Sequence, residues 1–225
     1  MSRPGTGSRS SRRPDPRPAR VRPTQVRDDP AHPDPAFADL YAALPEAHDL
    51  WPWLDWGLDA EPPVLYLGIG AGRLAAPLSR AGIELVGIDA HPRMLEHIRR
   101  RIPGIELHQT LIADMALGPR FDLGFDLIVG PSSILTSDEN LAAAVRHLRP
   151  GGRIGMELMN PWWLESTSHD GVRLDAAGTL EVDYRLPDGS VVVQVVENWS
   201  PGPAPGDAKD RLERFGLDLL WLGGR

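Results

Sequence analysis

Cysteine is absent from the 225 residues, which removes disulfides, thiolate nucleophiles and every zinc site built on sulfur. Long apolar runs are absent as well. No window approaches eighteen apolar residues, and the N-terminus has no hydrophobic stretch of the kind a secretion signal needs. The expectation is a cytoplasmic protein with no membrane partner and no metal. Lysine occurs once, against 23 arginines, a skew spread along the whole chain that reflects coding bias rather than phosphate recognition. Aromatic residues make up only 6%, yet three of the seven tryptophans, Trp51, Trp53 and Trp56, fall within six residues.

Basic charge is concentrated at the start. Residues 1 to 37 carry eight arginines against four aspartates, a charge of +4, which leaves −11 for the remainder of a chain whose net charge is −7. A body that acidic repels nucleic acid. The first 36 residues hold eight prolines and almost no large apolar side chain, so they cannot bury enough surface to fold and read as a disordered Arg/Pro-rich tail. Ordered structure is expected from Phe37, as a single domain over 37–225.

The segment PAFADLYAAL sets Phe37, Leu40, Tyr41 and Leu44 on one helical face, and DLWPWLDWGL continues this helical brace up to the acidic-proline break DAEPP. An alternation of strand and helix follows. VLYLG, IELVGID, IELHQT, FDLIVG and RIGMELM read as strands; RLAAPLSRAG, HPRMLEHIRRRIPG and NLAAAVRHL read as helices, the last ended by Arg149-Pro150-Gly151-Gly152. Such alternation predicts an α/β fold, Rossmann-like and doubly wound, around a mostly parallel sheet, with a cofactor-binding core over 62–160. In 161–206 the pattern becomes two-residue alternation: GTLEVDYRL and SVVVQVVENW flank Pro187-Asp188-Gly189, which predicts a small antiparallel β-hairpin insertion on the substrate side. LDLLWLGG reads as one last strand.

The stretch VLYLGIGAGRL carries the chemistry. Gly68, Gly70 and Gly72 stand two apart between a strand and a helix, and glycine stands where backbone turns sharply or approaches a ligand closely. Dinucleotide folds use G-x-G-x-x-G, whose third glycine permits close helix packing. Here that position is Arg73, so a nicotinamide dehydrogenase is disfavoured.

With its G-x-G-x-G turn the sequence resembles the class I S-adenosylmethionine-dependent methyltransferases, bacterial small-molecule methyltransferases in particular, over about residues 37 to 160. The resemblance implies S-adenosyl-L-methionine as cofactor, with Gly68, Ile69, Gly70, Gly72 and Arg73 beneath its methionyl part. It implies that Asp89, in IDAHPRML with Ala90 and Met94, accepts the ribose hydroxyls. Asp114, in LIADM between Ala113 and Met115, would meet the adenine amine, with Met115 on the ring. Gly130 in FDLIVGPSSIL leads to the methyl group. Acceptor candidates are Tyr41, Ser132, Ser133, Asn160 and Trp162, and no catalytic base is assigned.

The implied activity is methylation of N or O on a small-molecule metabolite. Asn160-Pro161-Trp162 superficially resembles the N-P-P-Y motif of DNA amino-methyltransferases, but it follows the fifth strand and not the fourth, which agrees with no nucleic-acid substrate. The competing expectation is a catalytically weak or inactive S-adenosylmethionine-binding scaffold or partner subunit. It draws on Tyr66, which stands where the family commonly has an acid; a phenol is neutral at pH 7 and cannot reproduce an anion's interactions. The family also adds a strand beyond the one resembling LDLLWLGG, so a homodimer, or a partner completing the C-terminal sheet edge, is a further expectation.

Overall fold

A computed structural model describes residues 24–29, 31–131, 133–157, 171–186, 188–197 and 205–218. Its centre is a five-stranded parallel sheet built from β2 (Val64–Leu67), β3 (Leu85–Asp89), β4 (Glu106–Gln109), β5 (Phe125–Pro131) and β6 (Leu148–Glu157). The strand order is β4-β3-β2-β5-β6, all neighbours parallel. The order reverses between β2 and β5, and an open parallel sheet has its ligand crevice at such a switch point, outside the carboxyl ends of the strands.

Because helices cover both faces, these strands can be apolar on both sides. On one face Val64, Leu85, Leu127 and Val129 pack with α3 (Ala75–Arg80), α4 (Pro92–Arg101) and the tryptophans of α2 (Trp53–Asp59). On the other, Leu65, Leu67, Val86, Ile88 and Ile128 pack with α5 (Ser133–Thr136), α6 (Asp138–Arg146) and α7 (Pro205–Arg214). Several helix starts are satisfied by side chains: Asp34 accepts from Ala36 N ahead of α1 (Pro35–Ala43), His91 from Arg93 N, and Ser137 from Asn140 N.

Two expectations are corrected. Thr24–Arg27 is not part of a tail; it forms β1, whose Val26 is 1% exposed and which pairs in parallel with β9 (Val191–Val196). The predicted hairpin is thus part of a four-stranded sheet, order β1-β9-β8-β7, with β8 (Leu180–Arg185) antiparallel to both β7 (Val172–Leu174) and β9. Arg149 to Gly152 do not lie between helix and strand; they belong to β6, where pairing jumps from Phe125↔Leu148 to Leu127↔Arg153. Residues 1–23, most of LDLLWLGG, and the segment 158–170 lie outside the described residues. No described helix is long and apolar enough to cross a membrane.

Candidate active site

The glycine turn leaves β2 at the switch point with φ of 63°, 58° and 80° at Gly68, Gly70 and Gly72, a region that disfavours side chains. Two of the three have distinct reasons to be glycine. At Gly72 a Cβ would lie 2.8 Å from Ile98 Cγ1, so its absence lets α4 close on the turn. At Gly70 a Cβ would meet nothing nearer than 3.9 Å, an ordinary contact distance, so there the positive φ alone asks for glycine. The ring of Pro131, ending β5, lies against Gly68, which brings the ends of β2 and β5 together.

Several bonds fix the turn. Ile69 N donates to Ile88 O at 2.9 Å, while Arg101 donates to Ala71 O at 3.0 Å and to Ala42 O at 2.6 Å, tying the turn to the end of α1. Arg73 Nε donates to Pro45 O at 2.8 Å, and Ala47 N donates to Arg73 O at 3.0 Å. The half-buried Asp89 ends β3 beside the turn; its Oδ2 accepts from Gly70 N and its Oδ1 from His91 N, both at 2.8 Å. Burial pushes its pKa above the ordinary aspartate value against the pull of these two bonds. Each carboxylate oxygen keeps a lone pair for a further donor.

Over the turn lies the four-stranded sheet. Its inner face contributes Val26, Tyr184 and Val192 to a cluster with Phe37, Leu40, Ala71 and Met94. The same face carries a polar chain that sequence reasoning missed: Tyr184 Oη donates to Gln194 Oε1 at 3.0 Å, and Gln194 Nε2 reaches Asp28 Oδ2 at 3.4 Å. Asp28 is exposed, but the protein crowding its carboxyl raises its pKa, and the charge of Asp89 adds to the effect. Gln194, 5% exposed, left one signal in the sequence, a polar residue inside the apolar run VVVQVV. Asp28, in the segment taken for a tail, left none.

The remaining candidates are distributed as follows. Ile69, Met94, Met115 and Gly130 are buried, Met115 in the core cluster with Leu65 and Leu117. Ala90 and Ala113 are half-buried and Asp114 is exposed. Tyr41 is half-buried beside Phe37 and Tyr184, 4.7 and 6.3 Å between ring centroids, and burial raises the pKa of its phenol. Tyr66 is kept neutral in the same way, by burial and then by the charge of Glu157 at the end of β6. Ser132, the side chain of Ser133, Asn160 and Trp162 lie outside the described residues. Among the described residues no cluster of His, Asp and Glu could hold a metal ion.

Residues 64–152, the span holding the turn, Asp89 and β5, match the family model described as a methyltransferase domain. Residues 64–152 are thus a methyltransferase domain. A related methyltransferase is the dTDP-3-amino-3,4,6-trideoxy-alpha-D-glucopyranose N,N-dimethyltransferase of Streptomyces venezuelae, 28% identical over 153 residues, covering 64% of this chain and 63% of the relative. A ubiquinone biosynthesis O-methyltransferase of Cereibacter sphaeroides is 26% identical over 165 residues, covering 69% of this chain and 60% of the relative. Both matches thus span less than two thirds of the relatives' own length. The fold of the methyltransferase domain recurs in a solved S-adenosylmethionine-dependent methyltransferase from Clostridium acetobutylicum, with a TM-score of 0.60, 18% identity, and coverage of 82% of this chain and 88% of the other.

Proposed function

We propose that this protein transfers the methyl group of S-adenosylmethionine to nitrogen or oxygen of a small metabolite. The observation that carries the reading is Asp89, at the carboxyl end of β3, bonded to Gly70 N in the glycine turn at the switch point of the sheet. There the carboxylate accepts the ribose hydroxyls, the backbone of Gly68 to Gly72 lies under the methionyl part, and the exposed Asp114 takes the adenine amine. Tyr66 brings no charge to the position where the family has an acid, and Glu157, which reaches it electrostatically, supplies one.

The cofactor brings its methyl group already activated. The protein has to exclude water and hold the acceptor in line, and positioning of this kind is worth about 7 to 11 kcal/mol. A general base adds only ~10² to 10⁴-fold. The sheet packed over Ala71 and Met94 is suited to the first task, since its apolar inner face covers the turn. A net charge of −7 favours a small acceptor over a polyanion. The relatives are named for N-methylation of an amino sugar nucleotide and O-methylation in ubiquinone biosynthesis, which brackets the acceptor chemistry. Incubation with methyl-labelled cofactor and a metabolite extract is expected to label a small molecule. Label appearing only in protein or nucleic acid would contradict this reading.

A further inference from the structure

The chain Tyr184–Gln194–Asp28 is not needed to hold the sheet together. Backbone pairing already joins β1, β9 and β8, with Val26 opposite Gln194 and Tyr184 opposite Val192. What the side chains add is aim. Gln194, nearly fully buried, is held through its carbonyl by Tyr184, so its amide points at Asp28. Asp28 stands two residues beyond Val26, on the face that packs over the glycine turn, and near enough to Asp89 to feel its charge.

Its surroundings are unusual for an accessible carboxylate. Among the described residues neither Asp28 nor Asp89 forms an ion pair with arginine or lysine. The nearby arginines are committed elsewhere: Arg27 pairs with Glu197, and Arg93 with Asp39 at 2.9 Å and Glu96 at 2.7 Å. His91 spends both ring nitrogens locally, with Nε2 donating to Asp34 O at 2.9 Å and Nδ1 accepting from Arg93 N at 3.2 Å. Asp28 and Asp89 therefore stand near one another, each without a paired arginine or lysine among the described residues.

We propose, given the methyltransferase reading above, that Asp28 receives the acceptor's amine nitrogen and makes the enzyme specific for amines over alcohols and phenols. The charge flow of the reaction supports this choice. As the nitrogen lone pair forms the N–C bond, the C–S bond breaks with its electron pair left on sulfur. Positive charge moves from sulfur to nitrogen, and the N-methylammonium product keeps all its protons until it is released. A carboxylate accepting an N–H from that nitrogen both directs the lone pair and stabilises the developing charge. A hydroxyl acceptor has to shed its proton instead, and the resulting oxyanion would face two like charges, which raise its pKa.

The test needs no knowledge of the natural acceptor. Three ligands share the nucleoside and the amino-acid tail: S-adenosylhomocysteine is neutral at the reacting centre, S-adenosylmethionine carries a sulfonium there, and sinefungin carries an amine in place of the transferable methyl group. Their affinities are measured by calorimetry on the full chain and on Asp28→Asn, which keeps an oxygen for Gln194. The expected result is a loss of about ten- to hundredfold for sinefungin in the variant. S-adenosylmethionine should lose much less, and S-adenosylhomocysteine should bind unchanged, which also reports an intact fold. Equal losses for sinefungin and S-adenosylmethionine would make Asp28 a partner of the sulfonium and overturn the proposal. So would equal losses for all three ligands, or no loss for any. If the unaltered chain fails to bind S-adenosylhomocysteine, the methyltransferase reading fails with it.

Discussion

Asp89 combines two demands that oppose each other. In the proposed role its carboxylate has to be ionised to accept the ribose hydroxyls well, yet burial raises its pKa. In the free protein, the stability from keeping this group protonated is present below its unfolded pKa and is lost as pH rises through the folded one. Ligand binding runs the other way: affinity for S-adenosylhomocysteine should fall as pH drops through the folded pKa, beginning above the pH at which an ordinary aspartate titrates. Calorimetry across pH 4 to 7 checks this, and an affinity flat over that range would contradict it. At Gly72 the demand is steric. Gly72→Ala sets a Cβ 2.8 Å from Ile98 at φ 80°, so denaturant unfolding should show a loss of about 1 to 3 kcal/mol. The glycines and Asp89 were legible because a single strand-turn-helix-strand unit fixes their spacing. Asp28 and Gln194 were not, because 166 residues separate them and only the folded sheet brings them together.

Among the elements, β1 most changes what the sequence implied. Its flanks are so rich in proline and arginine that composition outweighs four residues, TQVR, whose only large apolar side chain is Val26. The strand exists because β9 offers a free edge, an N–H and C=O array that another strand can complete. Its docking continues into α1: Arg27 N donates to Asp34 Oδ2 at 3.1 Å, and the carbonyl of Asp34 receives His91 at the start of α4. Val26→Ala should therefore destabilise the fold by about 1 to 3 kcal/mol, measured by denaturant unfolding. A neutral effect would mean that β1 is not docked. The core strands were legible as apolar runs, whereas the start of β6 was not, since Pro150, Gly151 and Gly152 imitate a turn. Pairing with β5 resumes only at Arg153, while Arg149 anchors the irregularity through Glu61 and Asp126, at 2.5 and 2.9 Å.

On the scale of the whole molecule, the organisation is a parallel sheet with its crevice at the switch point and a second sheet laid over it. The alternation of strands and helices revealed the first sheet. The second could be read only as a hairpin, because β1 comes from a distant part of the chain and β7 is only three residues long. Together they enclose the glycine turn between Asp89 below and the Tyr184–Gln194–Asp28 chain above. The central claim is that this turn binds S-adenosylmethionine with its ribose held by Asp89. Titration of S-adenosylhomocysteine into the unaltered chain and into Asp89→Ala tests it most directly. The account predicts saturable binding by the first and a loss of about thirtyfold or more in the second, from two hydrogen bonds to a charged group. Equal affinity in the two proteins would contradict it.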